Sequence, residues 1–216
     1  MATDVDLCNL ALFRIGQSQT IASLSENSVP AQACNQIFPF LRDMVLRSFP
    51  WPFATQRVTL TQMAVTSPQN WGYVFALPSD CLKARGMTFP GNRVPRADLD
   101  TPFEVAAMGD QPVIYCDDPA PELVYTSRVT NISLWDPLAA DALSALLSAE
   151  LAMPLNVKPD IAAMARQGFE MALNRAAAHA MSEVRPGKAS DPDLLAVRGM
   201  TFPFPDYPGG PSLAYY

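Results

Sequence analysis

The segment LCNLALFRIGQSQTIASLSENSVPAQACNQIFPFLRDMVLRSFPWPFA, residues 7–54, decides the fold. It reads as two amphipathic helices joined by a polar loop and ended by Pro50-Trp51-Pro52. Thr3 or Asp4 can cap a first helix running to about Ile15, with Leu7, Leu10, Ala11 and Ile15 on one face. Gly16 ends it from the C′ position, where a left-handed residue is favoured. In the Ser-rich loop from Gln17 to Ser28, Ile21 and Leu24 are the expected anchors. Ser28 caps the second helix and Pro30 falls in its first turn. Cys34, Ile37, Phe38, Leu41, Met44, Val45 and Phe49 then keep helical spacing. Asp43 and Arg47 form an acid-first i,i+4 pair, worth about 0.3 kcal/mol. Pro39 removes a ladder donor and predicts a kink. The helix stops at Phe49, because Pro50 and Pro52 cannot continue it. The segment holds no catalytic or metal-binding constellation. It is packing material, which suits a protein that holds other molecules in place.

Beyond residue 53 the period changes from helical to alternating. β-Branched and aromatic runs occur at RVTL (57–60), YVFALP (73–78), PVIYC (112–116) and ELVYTSRV (122–129). Turn chemistry separates them at Pro68-Gln69-Asn70, Pro90-Gly91-Asn92, Gly109-Asp110 and Asp117-Asp118-Pro119. The last two runs predict a hairpin in which Val113 and Tyr115 face Val124 across a loop at 117–121. Asp117-Asp118 could be a carboxylate pair for acid–base work or Mg²⁺, but adjacent acids before a proline read as turn residues.

Helical patterning returns at Asp136-Pro137, a cap followed by proline at the first position. Leu138, Ala142, Leu146 and Ala149 or Leu151 keep helical spacing until Pro154. A further helix begins near Pro159-Asp160 and runs to about Glu183, ~35 Å at ~1.5 Å per residue. Its stripe contains Ile161, Met164, Ala165, Gly168, Phe169, Ala172 and Ala176. The linker Leu155–Lys158 is short enough to make these two helices antiparallel neighbours. The pattern gives an α+β fold. Helix pairs from the two ends form an antiparallel helical bundle, and a small antiparallel β domain is inserted between them. The divisions are 1–52 (first half of the bundle), 53–130 (β-rich insertion), 131–184 (second half) and 185–216 (an extended C-terminal tail).

That tail is rich in proline, glycine and tyrosine and has no helical period. It repeats RGMTFP, found at Arg85–Pro90, identically at Arg198–Pro203. Met and Phe alternate in both copies as in a half-buried strand. Either the repeat is coincidence, or the tail copy adds an edge strand to a neighbouring subunit or partner.

The formal net charge of −6 repels phosphate backbones and argues against tight nucleic-acid binding. Asp4 and Asp6 stand where a signal peptide needs basic residues, and Leu138–Met153, the longest apolar stretch, is broken by Asp141 and Glu150. The expectation is a soluble, non-exported chain with no membrane segment. The four cysteines, Cys8, Cys34, Cys81 and Cys116, lack metal-site spacing and read as reduced, buried small hydrophobes. The single histidine, His179, lies in an Ala-rich helix and reads as a surface or packing residue. No phosphate-binding loop, H-E-x-x-H, G-x-S-x-G or dinucleotide fingerprint is present. The reading is therefore no enzyme, no cofactor and no metal.

Three segments in order carry a resemblance: LCNLALFRIG, then IASLSENSVPAQACNQIF, then LRDMVLRSFPWPFATQRVTL. YVFALPSDCLKARGM (73–87) and ELVYTSRVTNISLWDPLAADALSALLSAELAMPLNVKP (122–159) continue it. Over most of residues 5–183 the chain resembles the head-to-tail adaptor family of short-tailed bacteriophages, the tail tubular protein A type. The resemblance implies a structural virion protein of the tail neck, assembled in the host cytoplasm. It implies a dodecameric ring of this chain that docks under the portal protein and presents its far side to the tail nozzle protein, with tail fibres as further neighbours. DNA would pass through the lumen without being read. It also implies that a C-terminal extension meets the portal, which makes Phe202, Phe204, Tyr207, Tyr215 and Tyr216 candidate partner-binding anchors, since aromatic side chains bury large area at modest entropy cost. The long tail, Pro39 and Pro52 depart from the family pattern. The alternative reading is a ring-forming DNA-packaging accessory that binds DNA, against which the acidic charge and the lack of a basic stripe argue.

Overall fold

Thr3 accepts the Asp6 backbone N–H on its side chain while the Asp6 carboxylate accepts from the Thr3 N–H, a reciprocal cap that starts the first helix. The computed structural model describes residues 3–65, 67, 70–88 and 101–183. The order is α1 (Asp4–Arg14), α2 (Val29–Ser48), β1 (Thr55–Thr59), β2 (Tyr73–Ala76), β3 (Cys81–Thr88), β4 (Phe103–Met108), β5 (Gln111–Cys116), β6 (Glu122–Ser127), α3 (Pro137–Leu151) and α4 (Pro159–Glu183). The fold is α+β: among the described residues, four helices and two three-stranded antiparallel sheets. The tail anchors Phe202, Phe204, Tyr207, Tyr215 and Tyr216, and the second RGMTFP copy, lie outside the described residues.

The first helix ends as its residues require. Gly16 takes φ +78°, and Gly16 N–H and Gln17 N–H close onto Phe13 and Leu12 carbonyls. Its buried face is Leu7, Cys8, Ala11, Leu12 and Ile15. Leu10, expected on that face, is 39 % exposed, because the true stripe steps through 8 and 12 and carries position 10 off its edge. In the connecting loop, Asn9 holds Ile21 in place by a two-way pair with its backbone (3.0 and 2.8 Å), and Ile21 is buried.

Ser28 caps α2 and Pro30 sits in its first turn; the helix runs unbroken as one element through Pro39. Met44, expected in the core, is exposed. The expected Asp43–Arg47 pair is replaced. Asp43 binds Arg42 (3.0 Å) and Arg128 beyond β6 (2.8 Å), whereas Arg47 donates to the Leu82 carbonyl of β3. A tertiary partner that also satisfies a backbone acceptor outweighs a local pair worth tenths of a kcal/mol.

At the chain reversal after α2, Trp51 is fully buried and its indole N–H donates to the Val45 carbonyl (2.8 Å). Phe49, Trp51, Phe53 and Trp135 follow one another with ring centroids 5.0, 6.0 and 5.3 Å apart. This aromatic run joins the first helical segment to the start of the second. Asp136 then caps α3 through the Leu138 and Ala139 N–H groups. Helix α3 is buried on nearly every side, and Ser144 and Ser148 are tolerated there because their hydroxyls donate to carbonyls three residues back. Buried residues of all four helices, with Trp51, Ala54, Ile132 and Trp135, form one apolar cluster.

The sheets are ordered β1-β6-β3 and β2-β5-β4. The expected β5–β6 hairpin does not form. Val113 to Cys116 and Leu123 to Ser127 are buried in unbroken runs, so each strand is central and needs a neighbour on both edges. Strand β5 pairs with β2 and β4, strand β6 with β1 and β3. The two sheets then stack, with Phe75, Ile114 and Cys116 of one against Met87, Leu123 and Tyr125 of the other. Val113 and Tyr115, expected against Val124, join Val74 in a separate cluster with Met63 and Trp71. Strand β4 was not expected from the sequence, and of β3 only its end, Arg85–Thr88, was read as strand-like, within the first RGMTFP copy. Two register shifts in β3, at Cys81/Lys83 and Ala84/Gly86, hide its alternation, and Ala106-Ala107 dilutes that of β4.

Candidate interaction surfaces

The chemistry-bearing residues separate rather than converge. Asp117 accepts the Gly72 N–H (2.8 Å) and Asp118 accepts the Ala120 N–H (3.0 Å), each carboxylate serving a loop. His179 is exposed on α4. Among the described residues no group of three His, Cys, Asp or Glu could hold a metal ion, and no helix is long and apolar enough to cross a membrane.

The four cysteines are free thiols; Cys8, Cys34 and Cys116 are buried and Cys81 is half-buried. The Cys34 contact and burial push the Cys8 thiol up, and burial raises Cys116. Burial, helped by the charge of Asp80, pushes Cys81 up to about 11. Two consequences follow for Cys81. At pH 8 it reacts with iodoacetamide more slowly than a free cysteine, read by mass spectrometry of the native chain. Its contribution to stability is full below the unfolded thiol value and declines as pH rises toward 11, since only the unfolded chain then releases the proton readily. Cys81→Ala removes that part of the alkaline decline.

Surface character is more informative than any polar cluster. The C-terminal end of α1, α3 and α4 enclose an apolar groove of about 740 Å³. Its floor carries Ala165, Gly168 and Ala172, and its walls carry Phe13, Met164 and Met171. These last three are 78, 71 and 62 % exposed. Met164, Gly168 and their neighbours were expected in a core stripe, but the buried positions of α4 are Ala172, Ala176 and Ala180. At one end Asp141 lies between two guanidinia, Arg14 and Arg175, the latter at 2.7 Å. Arg175–Asp141 together with Arg166–Glu150 (3.0 Å) also shows α3 and α4 running antiparallel, as the short linker predicts.

Gly168 has no intramolecular reason to be glycine. A Cβ added there meets nothing within 4 Å. Glycine inside a helix costs about 0.5–1 kcal/mol against alanine. Gly168→Ala is therefore expected to raise the unfolding free energy by about that amount, measured by urea denaturation.

A second apolar surface lies on α2. Val29 and Phe40 are 68 and 69 % exposed, Met44 lies on the same side, and residues 27–41 contain no charge. Helical spacing makes these three a ridge along the face opposite the buried Cys34–Phe38–Leu41 stripe. A third feature, a cleft of about 460 Å³ beside Pro50 and Pro52, gathers Arg57 and Arg85 on the outer face of β1-β6-β3. Burial, then the nearby Arg47 charge, holds Arg85 below the ordinary guanidinium value. Arg85 donates to Thr126 Oγ1 (2.8 Å) and to the Arg47 carbonyl (2.9 Å), so it braces α2 against the sheet.

Sequence reading left Phe13, Phe40 and Met171 off the helical faces it drew and gave them no role, so it missed the surfaces they form. The charge-free run 27–41 was the available signal, since a helix exposed to water on one face normally carries charges there. No family model matches the chain, and no curated protein matches it.

Proposed function

We propose that this chain is a structural virion protein: a head-to-tail adaptor that joins a portal to a tail nozzle and forms part of the DNA exit channel. In this reading the apolar cluster shared by α1, α2, α3 and α4 is an antiparallel helical bundle made from both ends of the chain. The β strands between them are its insertion. The observation that carries the reading is the pairing of one apolar cluster drawn from all four helices with apolar exterior residues on α1, α2 and α4. Exposed apolar surface of that extent, rimmed by polar groups, marks contact with other proteins. The ordered resemblance of residues 5–183 to short-tailed phage adaptors supplies the identity of those proteins: further copies in a dodecameric ring, the portal, the nozzle and tail fibres.

The chain performs no catalysis in this reading and needs no cofactor. Its work is to bind, to order segments on docking, and to seal a filled head. The net charge of −6 suits a conduit that DNA must traverse without being held. Gradient sedimentation of the purified chain with the purified portal ring tests the proposal. Comigration is expected. A chain that stays at the top of the gradient contradicts it, and a salt-dependent DNA gel shift in its place would favour the packaging-accessory alternative.

A further inference from the structure

We infer that the groove between α1, α3 and α4 receives the α2 ridge of a second copy of this chain, a head-to-tail contact between two different surfaces. The inference names the subunit contact of the proposed ring. It rests on that reading for ring closure, whereas association itself rests on the two surfaces.

Groove and ridge match in length. The groove follows α4 from Ile161 to Arg175, about 21 Å of helix, and the ridge from Val29 to Met44 spans about 22 Å. The floor is made of Ala165, Gly168 and Ala172, which let another helix approach closely, and the space above Gly168 is open. The α2 backbone can pass close over that space, and Phe40 supplies a bulky group for the groove beside the wall of Met164. A glycine that costs helix stability and relieves no crowding within its own chain is accounted for by a neighbour that comes close.

Charge gives the direction. One end of the groove holds two guanidinia, Arg14 and Arg175, on the single carboxylate of Asp141, a local excess of one positive charge. Glu26 precedes the N-terminal end of the ridge, and the rest of the ridge is uncharged as far as Leu41. Matching Glu26 to the Arg14–Arg175 end sets the incoming α2 antiparallel to α4 and brings Phe40 over Met164 and Ala165. The groove and the ridge lie on different helices, so each copy keeps one free groove and one free ridge after pairing. Such a heterologous contact propagates, and closes into a ring where the rotation permits.

Two variants separate the surfaces. Gly168→Glu fills the groove at a position with open space, and Phe40→Glu charges the ridge at an exposed position, so both are expected to keep the native circular dichroism and a cooperative urea transition, with that of Gly168→Glu no lower than the unsubstituted chain's. Sedimentation equilibrium is run up to about 1 mM, where even a millimolar contact is half-populated. The unsubstituted chain is expected to associate progressively, and each variant alone to lose at least about tenfold in association constant. An equimolar mixture of the two variants retains one intact groove and one intact ridge, and is expected to give a one-to-one heterodimer and nothing larger.

Monomeric unsubstituted chain throughout, or variants that associate as well as it does, overturns the inference. So does a mixture that stays monomeric. Dimers from Phe40→Glu alone would mean that groove pairs with groove, and would overturn it too. A heterodimer without comigration with the portal ring keeps this contact and removes the adaptor reading. Comigration with the portal by a chain whose variant mixture stays monomeric does the reverse.

Discussion

Trp51→Ala is expected to lower the unfolding free energy by about 3–5 kcal/mol, a large part of what a domain of this size has to lose. Trp51 is fully buried, so truncation removes its transfer energy and leaves a cavity among α2, α3 and the aromatic run. Pro50 and Pro52 fix the backbone on either side, which limits collapse into the void. The Phe49 and Phe53 rings each lose a partner, at 5.0 and 6.0 Å. The Val45 carbonyl, in the last turn of its helix, loses its indole donor and keeps the Ser48 hydroxyl (2.7 Å) as its side-chain donor. Trp51→Phe separates these causes. It keeps much of the packing and removes only the indole donor, with the Ser48 hydroxyl still serving that carbonyl, at a cost of about 0.5–1.5 kcal/mol. Urea denaturation followed by far-ultraviolet circular dichroism measures both. Equal losses for the two variants would show that the hydrogen bond outweighs the cavity.

Phe75→Ala is the second large effect, with about 3–5 kcal/mol lost from the interior between the two sheets. Phe75 is fully buried and packs with Ile114 of its own sheet and Met87 and Leu123 of the facing one. A three-stranded sheet needs its apolar face covered to be stable, and the apolar layer the two sheets share covers both. The substitution therefore tests the stacked arrangement against a single hairpin meander, in which position 75 would have only cross-strand neighbours. The β region is tied to the helices by Arg47 on the Leu82 carbonyl, Arg85 on the Arg47 carbonyl and Ser127 on the Ala54 carbonyl (3.1 Å). Phe75→Ala is accordingly expected to shift the unfolding of both regions, read by circular dichroism and by tryptophan fluorescence. A loss below about 1 kcal/mol would contradict the packing described here.

Local signals were legible where local chemistry decides. Ser28, Asp136 and Gly16 marked helix ends because a side-chain acceptor or a left-handed residue solves a problem confined to one turn. The bounds of α2 and α4 and the positions of β1, β2, β5 and β6 were readable for the same reason. Pairing was not. Whether Val113 meets Val124 across a loop or across a sheet–sheet interface depends on burial of both faces, which an alternation pattern does not report. The first half of β3 was hidden by a register shift and by Lys83, and Asp43 found its partners across the fold instead of four residues along.

The candidate surfaces were the least legible feature. Met164 keeps the same helical spacing as core residues, whereas Phe13, Phe40 and Met171 fall outside the stripes, and only the structure shows that all four stand together on the outside. Gly168 is informative only once the open space above it is seen.

Electron microscopy of the purified chain with its portal ring tests the central claim most directly. A closed ring of added density is expected, capping one face of the portal, coaxial with its channel and with an open lumen. Bare portal rings, or density scattered around the portal without rotational order, would contradict it.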